Sequence, residues 1–391
     1  ALGVGRRAEG GGGPARCEAA GGGELRFVTY NVLAPPLAEQ KGHFSQCEPG
    51  ALVRSDRLER VLRKLEPHIA AGSVIGLQEV SLEWAGKLYA AFSKRNYTFV
   101  YCSYGQEFNG YMGVGLAWPN ELYETVDVEL CRLSDTVPRE IWAQKIDARP
   151  ADGMNRFGFL TEKGLREILG CQLPAAAWAS REPPKGEDWA VARSRRNELA
   201  VAKLRPRGGG SPFCVACYHM PCLFGPPEKV RTRNIHALLM LGKVHEFAAG
   251  DACVFLGDFN WNPRDSSYML LESGGDVAAV AAQNDTFRQE VMGLEPAAQL
   301  ASRSAPGGLR SAYKAFHGSE PRFTNYARNR DNPPFCETLD YIVFSAGRFR
   351  VLACPELPRD PPQGIRSFPS LAEPSDHVLM AATLRPEGGA P

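Results

Sequence analysis

Short apolar runs recur along this chain, and each meets a carboxylate, a carboxamide or an imidazole at one end. Val254-Phe255-Leu256 leads into Gly257-Asp258-Phe259-Asn260; comparable runs stop at Asn31, Glu79 and His219, Asp340 opens the run at 339–345, and Asp376-His377 precede the run at 378–384. Their length and alternation suit strands, whose side chains point to opposite faces in turn and whose ends are where loops build sites. Apolar strands in such number must be buried between layers, and the amphipathic stretches among them supply the outer layers.

The stretch 55–66 is one of these. Leu58, Val61, Leu62 and Leu65 make one helical stripe, Arg57, Arg60, Arg63 and Lys64 lie mostly off it on a solvated face, and Pro67 is expected to stop the helix. Ser81 is a suitable cap for a helix running to about Lys94, and residues 230–247 read as a long helix with Ile235, Leu238, Leu239, Leu241 and Val244 inward. Further strands are expected at 25–33, 98–103, 112–118 and 123–133, and at 198–204 and 212–218 around the Gly208-Gly209-Gly210 turn. The pattern predicts an α/β chain with sheets packed face to face and helices outside. Residues 1–24 are expected to be a disordered Gly, Ala and Arg tract, 25–385 one domain with an irregular insertion around 148–193, and 386–391 a tail.

Bulk properties narrow the partners. With 391 residues and a formal net charge of +1, affinity for a polyanion must come from local patches and a metal ion, not from a global field. No apolar stretch approaches membrane-spanning length. Eleven cysteines are scattered, and Cys214-Val215-Ala216-Cys217 has no second Cys/His pair at zinc spacing, which points to buried thiols in a reducing compartment. The expected location is the cytoplasm, with a mitochondrial or plastid location left open because the chain starts at Ala1.

The polar strand ends carry the chemistry. Asp258 and Asn260, two residues apart, would project from one strand face, the acid holding or deprotonating a water and the amide donating to a phosphate oxygen. Glu79 is the expected metal ligand, with Asp376 binding the ion directly or through water, and Asp340 would fix the tautomer of His377. His219 follows an apolar strand and faces a loop. Each of these alone has a bland structural account: a helix N-terminal acid for Glu79, a turn for Gly-Asp-Phe-Asn, a cap for Asp376-His377, a satisfied structural imidazole for His219.

In order along the chain, Thr29-Tyr30-Asn31-Val32-Leu33-Ala34, Leu77-Gln78-Glu79-Val80, Tyr218-His219, Gly257-Asp258-Phe259-Asn260, Thr338-Leu339-Asp340-Tyr341-Ile342 and Ser375-Asp376-His377 resemble the endonuclease/exonuclease/phosphatase superfamily over roughly residues 25–385. That resemblance implies the deoxyribonuclease-I-like four-layer α/β sandwich, with two mainly antiparallel sheets flanked by helices. Ser311-Ala312-Tyr313 and Glu320-Pro321-Arg322-Phe323-Thr324-Asn325-Tyr326 are most similar to carbon-catabolite-repressor-type deadenylases and their nocturnin and angel relatives. The resemblance implies one or two magnesium or manganese ions at Glu79, phosphate contacts from His219, Asn260 and Asn31, a water on Asp258, and acid-base work by Asp340 with His377. Phe335 would stack on an adenine, and Asn325 also belongs to the substrate-binding set. Arg196, in the run Arg193, Arg195 and Arg196, would guide a backbone, although such a run is equally a solvated face. Asn109-Gly110 stands where the family usually has Asp-Gly, and His219-Met220-Pro221-Cys222 departs from the common form.

The expected activity is a magnesium-dependent 3′-to-5′ exoribonuclease or poly(A) deadenylase acting on single-stranded RNA and releasing nucleoside 5′-monophosphates, within a ribonucleoprotein or deadenylase complex. The alternatives are the same chemistry on NADP(H), a 2′,5′-linked oligonucleotide or a phospholipid headgroup, and a catalytically silent scaffold.

Overall fold

The structure, a computed structural model, describes residues 23–136, 187–302, 308–328 and 332–387. The expectations for 1–22, for 148–186 of the insertion and for 388–391 lie outside the described residues. Two six-stranded sheets face each other. One contains β1 (Leu25–Asn31), β2 (Val74–Val80), β3 (Tyr97–Ser103), β4 (Gly113–Pro119), β13 (Phe349–Ala353) and β14 (Met380–Pro386) in the order β13-β14-β1-β2-β4-β3. The other holds β5 (Tyr123–Arg132), β6 (Glu198–Pro206), β7 (Phe213–His219), β8 (Ala252–Asp258), β9 (Leu309–Ser311) and β12 (Asp340–Ser345) in the order β5-β6-β7-β8-β12-β9. A short antiparallel pair, β10 (Asn325–Ala327) with β11 (Phe335–Glu337), stands apart.

Three apolar layers hold four structural layers together, as the sequence pattern predicts. The middle one lies between the sheets and contains Phe27, Leu116, Val215, Leu256, Ile342 and Met380. Beneath the first sheet, Leu58, Val61, Leu65, Trp84 and Leu88 from the helices Arg54–Ala70 and Leu82–Ser93 meet Val28, Tyr30, Ile75 and Leu77. Over the second sheet the long helix Pro227–Ala248 presents Ile235, Leu238, Leu241 and Val244, joined by Trp189 and Ala192 of the helix Glu187–Ser194.

Most strand pairs are antiparallel, but β1 with β2 and β7 with β8 are parallel, each pair connected through an outer helix. Parallel neighbours end at the same level, so Asn31 lies opposite Gln78 and His219 opposite Asp258. Antiparallel β12 begins where β8 finishes, which sets Asp340 against Asp258. Five strand ends from two sheets therefore share one edge of the sandwich.

The Arg54–Ala70 helix corrects two expectations. Pro67 lies inside it and does not stop it. A proline in a helix interior loses a hydrogen bond and costs about 3 kcal/mol; continuing the helix buries Ile69 in the outer layer, where its carbonyl accepts from Tyr97 Oη at 2.9 Å. Arg57 is not on the solvated face but fully buried, donating to the carbonyls of Val32, Leu33 and Pro374 with its guanidinium 5.1 Å from the Trp84 ring. A buried cation is tolerable when carbonyl oxygens and a ring face take over from water.

Candidate active site

Asp258, at the tip of β8, is buried, and its Oδ2 gathers contacts from both sheets. Asn31 Nδ2 donates to it at 3.0 Å, His219 Nε2 lies at 3.3 Å and His377 Nε2 at 3.6 Å. Oδ1 accepts from the backbone N–H of Asn260 at 3.0 Å. Burial would push this carboxyl up, but the two histidines and the amide donor hold it below the ordinary aspartate range.

The other nitrogen of each imidazole is also held. His377 Nδ1 sits 2.7 Å from Asp340 Oδ2, which additionally accepts from Thr324 Oγ1 at 2.7 Å, while His219 Nδ1 meets the hydroxyl of Tyr104. Burial raises the Asp340 carboxyl to about 6 against the pull of His377. Burial works against charge on His377 too, yet Asp340 and Asp258 together raise its pKa well above the histidine range. Burial likewise lowers His219, and Asp258 reverses that into a net upward shift.

Asn31 sits between two acids, its Nδ2 reaching Glu79 Oε1 at 3.2 Å as well as Asp258, while its Oδ1 accepts from Leu33 N at 3.0 Å. The sequence expectation put this amide on the phosphate; here its two hydrogens face carboxylates. Glu79 Oε2 accepts from Ala34 N at 3.1 Å, leaving a half-buried carboxylate open on one side. Backbone strain concentrates here, since Leu33, Glu79 and Asn260 all have φ between 50° and 57°, and left-handed non-glycine residues cluster at functional sites. For Asn260 this changes the expected geometry. Regular alternation ends at Asp258, and Asn260 is placed by a left-handed turn that sends one amide hydrogen to the carbonyl of Met220 at 2.9 Å.

Asp376 is half-buried beside the cluster, its Oδ2 accepting from Asn325 Nδ2 at 3.3 Å, and Asn325 bridges to His377 through the backbone. The loop carrying Asp376 is stapled by Ser375 Oγ to Asn31 O at 2.6 Å, by Arg57 to Pro374 O at 2.8 Å, and by Glu373 between Tyr30 and Lys64. Phe335 stands apart from the hydrogen-bonded cluster on β11, 40% exposed and edge-on to Phe224 with ring centroids 5.9 Å apart. Arg196 is exposed, and no hydrogen bond or ion pair among the described residues joins it to the cluster.

Sequence reasoning missed Tyr104, Phe224 and Thr324. Tyr104 and Phe224 lie in loops with no periodic signal, and Thr324 was visible only as part of a string, not as the donor to Asp340.

Among the described residues, Asp258, Asp340 and His377 form a group of possible metal donors with ligand atoms within 4.8 Å of one another. Asp340 Oδ1 and Asn325 Oδ1 are buried without a partner. The carboxylate and carboxamide oxygens here, with unspent acceptor capacity, suit a hard divalent cation. The cysteines do not belong to this set, since Cys214 and Cys217 are free, buried thiols on β7.

Known proteins share both this sequence pattern and this fold. Nocturnin of Drosophila melanogaster is 22% identical over 373 residues, covering 92% of this chain and 46% of the relative. The CCR4-Not complex 3′-5′-exoribonuclease subunit Ccr4 of Aspergillus oryzae is 30% identical over 405 residues, covering 92% and 47%. The chain thus spans about half the length of these curated relatives. Among solved structures, ANGEL2, described as a 2′,3′-cyclic phosphatase, superposes with a TM-score of 0.62 at 19% identity, covering 93% of this chain and 96% of that one. The human nocturnin catalytic domain gives 0.55 at 17% identity, covering 93% and 94%. These likenesses bear out the expected sandwich fold. Residues 28–377 match the Endonuclease/Exonuclease/phosphatase family, and to that family the chain belongs.

Proposed function

We propose that the protein is a divalent-metal-dependent phosphodiesterase that removes nucleotides from the 3′ end of single-stranded RNA, with adenosine tails as its preferred substrate and nucleoside 5′-monophosphates as products. The observation that carries this reading is Asp258 Oδ2 at the meeting point of Asn31, His219 and His377. Two imidazoles and a carboxylate around one small space suit a phosphoryl group whose charge grows as water attacks.

When a phosphate enters, the Nε2 atoms of His219 and His377 turn from Asp258 toward its oxygens, and Asp258 Oδ2 is left to orient the water. The free amide hydrogen of Asn260 adds a donor. The His377 imidazolium, held by Asp340, donates toward the leaving oxygen, while Asn31 fixes the spacing between Asp258 and Glu79. Glu79, aided by Asp376, would hold magnesium or manganese, which when bound would supply charge stabilisation to the reacting phosphate. Phe335 offers a ring for a base, and stacking of this kind contributes roughly 1–3 kcal/mol per base while tolerating sequence. The Ccr4 relatives support a nucleic-acid substrate and a deadenylase-complex setting. No helix among the described residues is long and apolar enough to cross a membrane.

The test is a 5′-labelled oligoadenylate incubated with magnesium, beside NADPH and a 2′,5′-linked adenylate. Stepwise shortening of the labelled strand with release of AMP, lost in Asp258→Asn, is the expected result. Faster phosphate release from NADPH would replace the substrate assignment, and inertness on every substrate with either metal would remove the enzymatic reading.

A further inference from the structure

Arg233, on the helix Pro227–Ala248, is 1% exposed and is spent almost entirely on two loops. Its Nη1 donates to Asn260 O at 2.7 Å and to Leu223 O at 3.3 Å, Nε donates to Ser267 Oγ at 3.0 Å, and Nη2 to Asp265 Oδ2 at 2.6 Å. Asp265 is tied in turn to the backbone N–H of Asn262 at 3.1 Å. The guanidinium carbon also lies 5.6 Å from the centre of the Phe224 ring, which meets Phe335. One planar cation therefore touches the loop after β7, with its aromatic rim, and the loop after β8, with Asn260. Lysine cannot reproduce this, because a point charge lacks the fork that serves several acceptors and the flat face that packs on a ring.

We propose that Arg233 is a positioning residue that fixes the distance between the Phe224–Phe335 rim and the phosphate-handling end of β8, and so sets the preference for substrates that carry a nucleobase. This rests on the reading of Phe335 as a base-facing ring. Arg233 touches no reacting atom in it. Its influence runs through the Leu223 and Asn260 carbonyls, so losing the fork lets the rim drift while Asp258 keeps its place at the tip of β8 on the Asn31 amide, a donor that Arg233 does not touch.

Calorimetric titration of the magnesium-supplemented protein with AMP and with ribose 5-phosphate separates the base from the phosphate. Wild-type protein is expected to bind AMP at least tenfold more tightly than ribose 5-phosphate; Arg233→Lys, which keeps the charge against Asp265, brings the two within about twofold by weakening AMP alone. Phe224→Ala gives the same collapse, and adding it to Arg233→Lys produces no further loss. Should Arg233→Lys keep the full AMP preference, weaken both ligands equally, or meet a wild type without preference, the proposal is overturned. Turnover of oligoadenylate in the same preparations reports separately on the hydrolase reading, because binding is read without it.

Discussion

Asn31 on one sheet and Asp258 on the other are joined directly, Nδ2 to Oδ2, at 3.0 Å. This single amide bridges the sandwich where the chemistry is and also spaces Asp258 from Glu79. Replacing Asn31 with Ala removes the one amide that these two carboxylates share. We expect kcat to fall on the order of 10²-fold, comparable to loss of one charge-stabilising donor, with a stability loss of about 1–3 kcal/mol for the unpaired buried groups. Kinetics and urea unfolding of Asn31→Ala check both; unchanged turnover would show that the bridge serves only the fold.

Asp340→Asn keeps shape but removes the charge that holds the His377 proton. A carboxamide there should reduce kcat by roughly 10³–10⁴-fold, as for other histidines deprived of their orienting carboxylate. KM should change far less, because Asp340 is buried away from substrate. A mutant with near-normal kcat would remove His377 from the proton pathway.

Chelation should abolish activity, and magnesium or manganese restore it. For Glu79→Ala the magnesium needed for half-maximal rate should rise by roughly 10- to 100-fold or more, since losing a ligand costs no less than losing an outer-shell partner. Glu79 has φ 57°, so Glu79→Gly should be about 1 kcal/mol more stable than Glu79→Ala while equally impaired. Equal melting temperatures would argue against strain at this position.

Acid should destabilise the fold in a defined window. His236 is fully buried, its Nδ1 2.8 Å from Tyr218 Oη and its Nε2 2.9 Å from Ala192 O, and burial depresses its pKa to about 4. Unfolded, the same imidazole protonates near its ordinary value of about 6.5, so between these values the unfolded state holds more protons. Its contribution is complete above pH 6.5 and drains away as pH falls toward 4, by about 3 kcal/mol in full. Urea midpoints between pH 7 and 4.5 measure this, and His236→Gln should flatten the slope by one group's share. An unaltered slope would place the proton uptake elsewhere, with buried His245 the next candidate.

Gly257→Ala should disturb Asp258 without touching it. A Cβ at this position would lie 2.2 Å from the Tyr218 carbonyl oxygen on the neighbouring strand and 2.7 Å from the Phe259 ring. Forcing it in should cost about 1–3 kcal/mol and reduce kcat more than KM. Wild-type unfolding and turnover would contradict the tight packing at this point.

Much of this molecule was legible in the sequence because strand ends announce themselves. Apolar runs closing on Asn31, Glu79, His219 and Asp258, and opening on Asp340, marked the strand ends that share an edge, though not which neighbours run parallel. Ser81 likewise signalled its helix, and its side chain accepts from Trp84 N. What escaped was set by long-range contacts. Pro67 is kept helical by burial of Ile69; Arg57, read as a solvated cation, is held by carbonyls more than twenty and more than three hundred residues away. Alternation could not foresee the left-handed turn at Asn260, and no local pattern marks Tyr104 as the partner of His219 or Arg233 as the link between two loops.

Because β1 lies between β14 and β2, the first strand of the fold waits for the last. A ribosome must release Met380–Pro386 before β1 gains its antiparallel neighbour, and His377 is translated only shortly before. Until then His377 is missing from the cluster around Asp258, so the site cannot assemble from the strands made earlier.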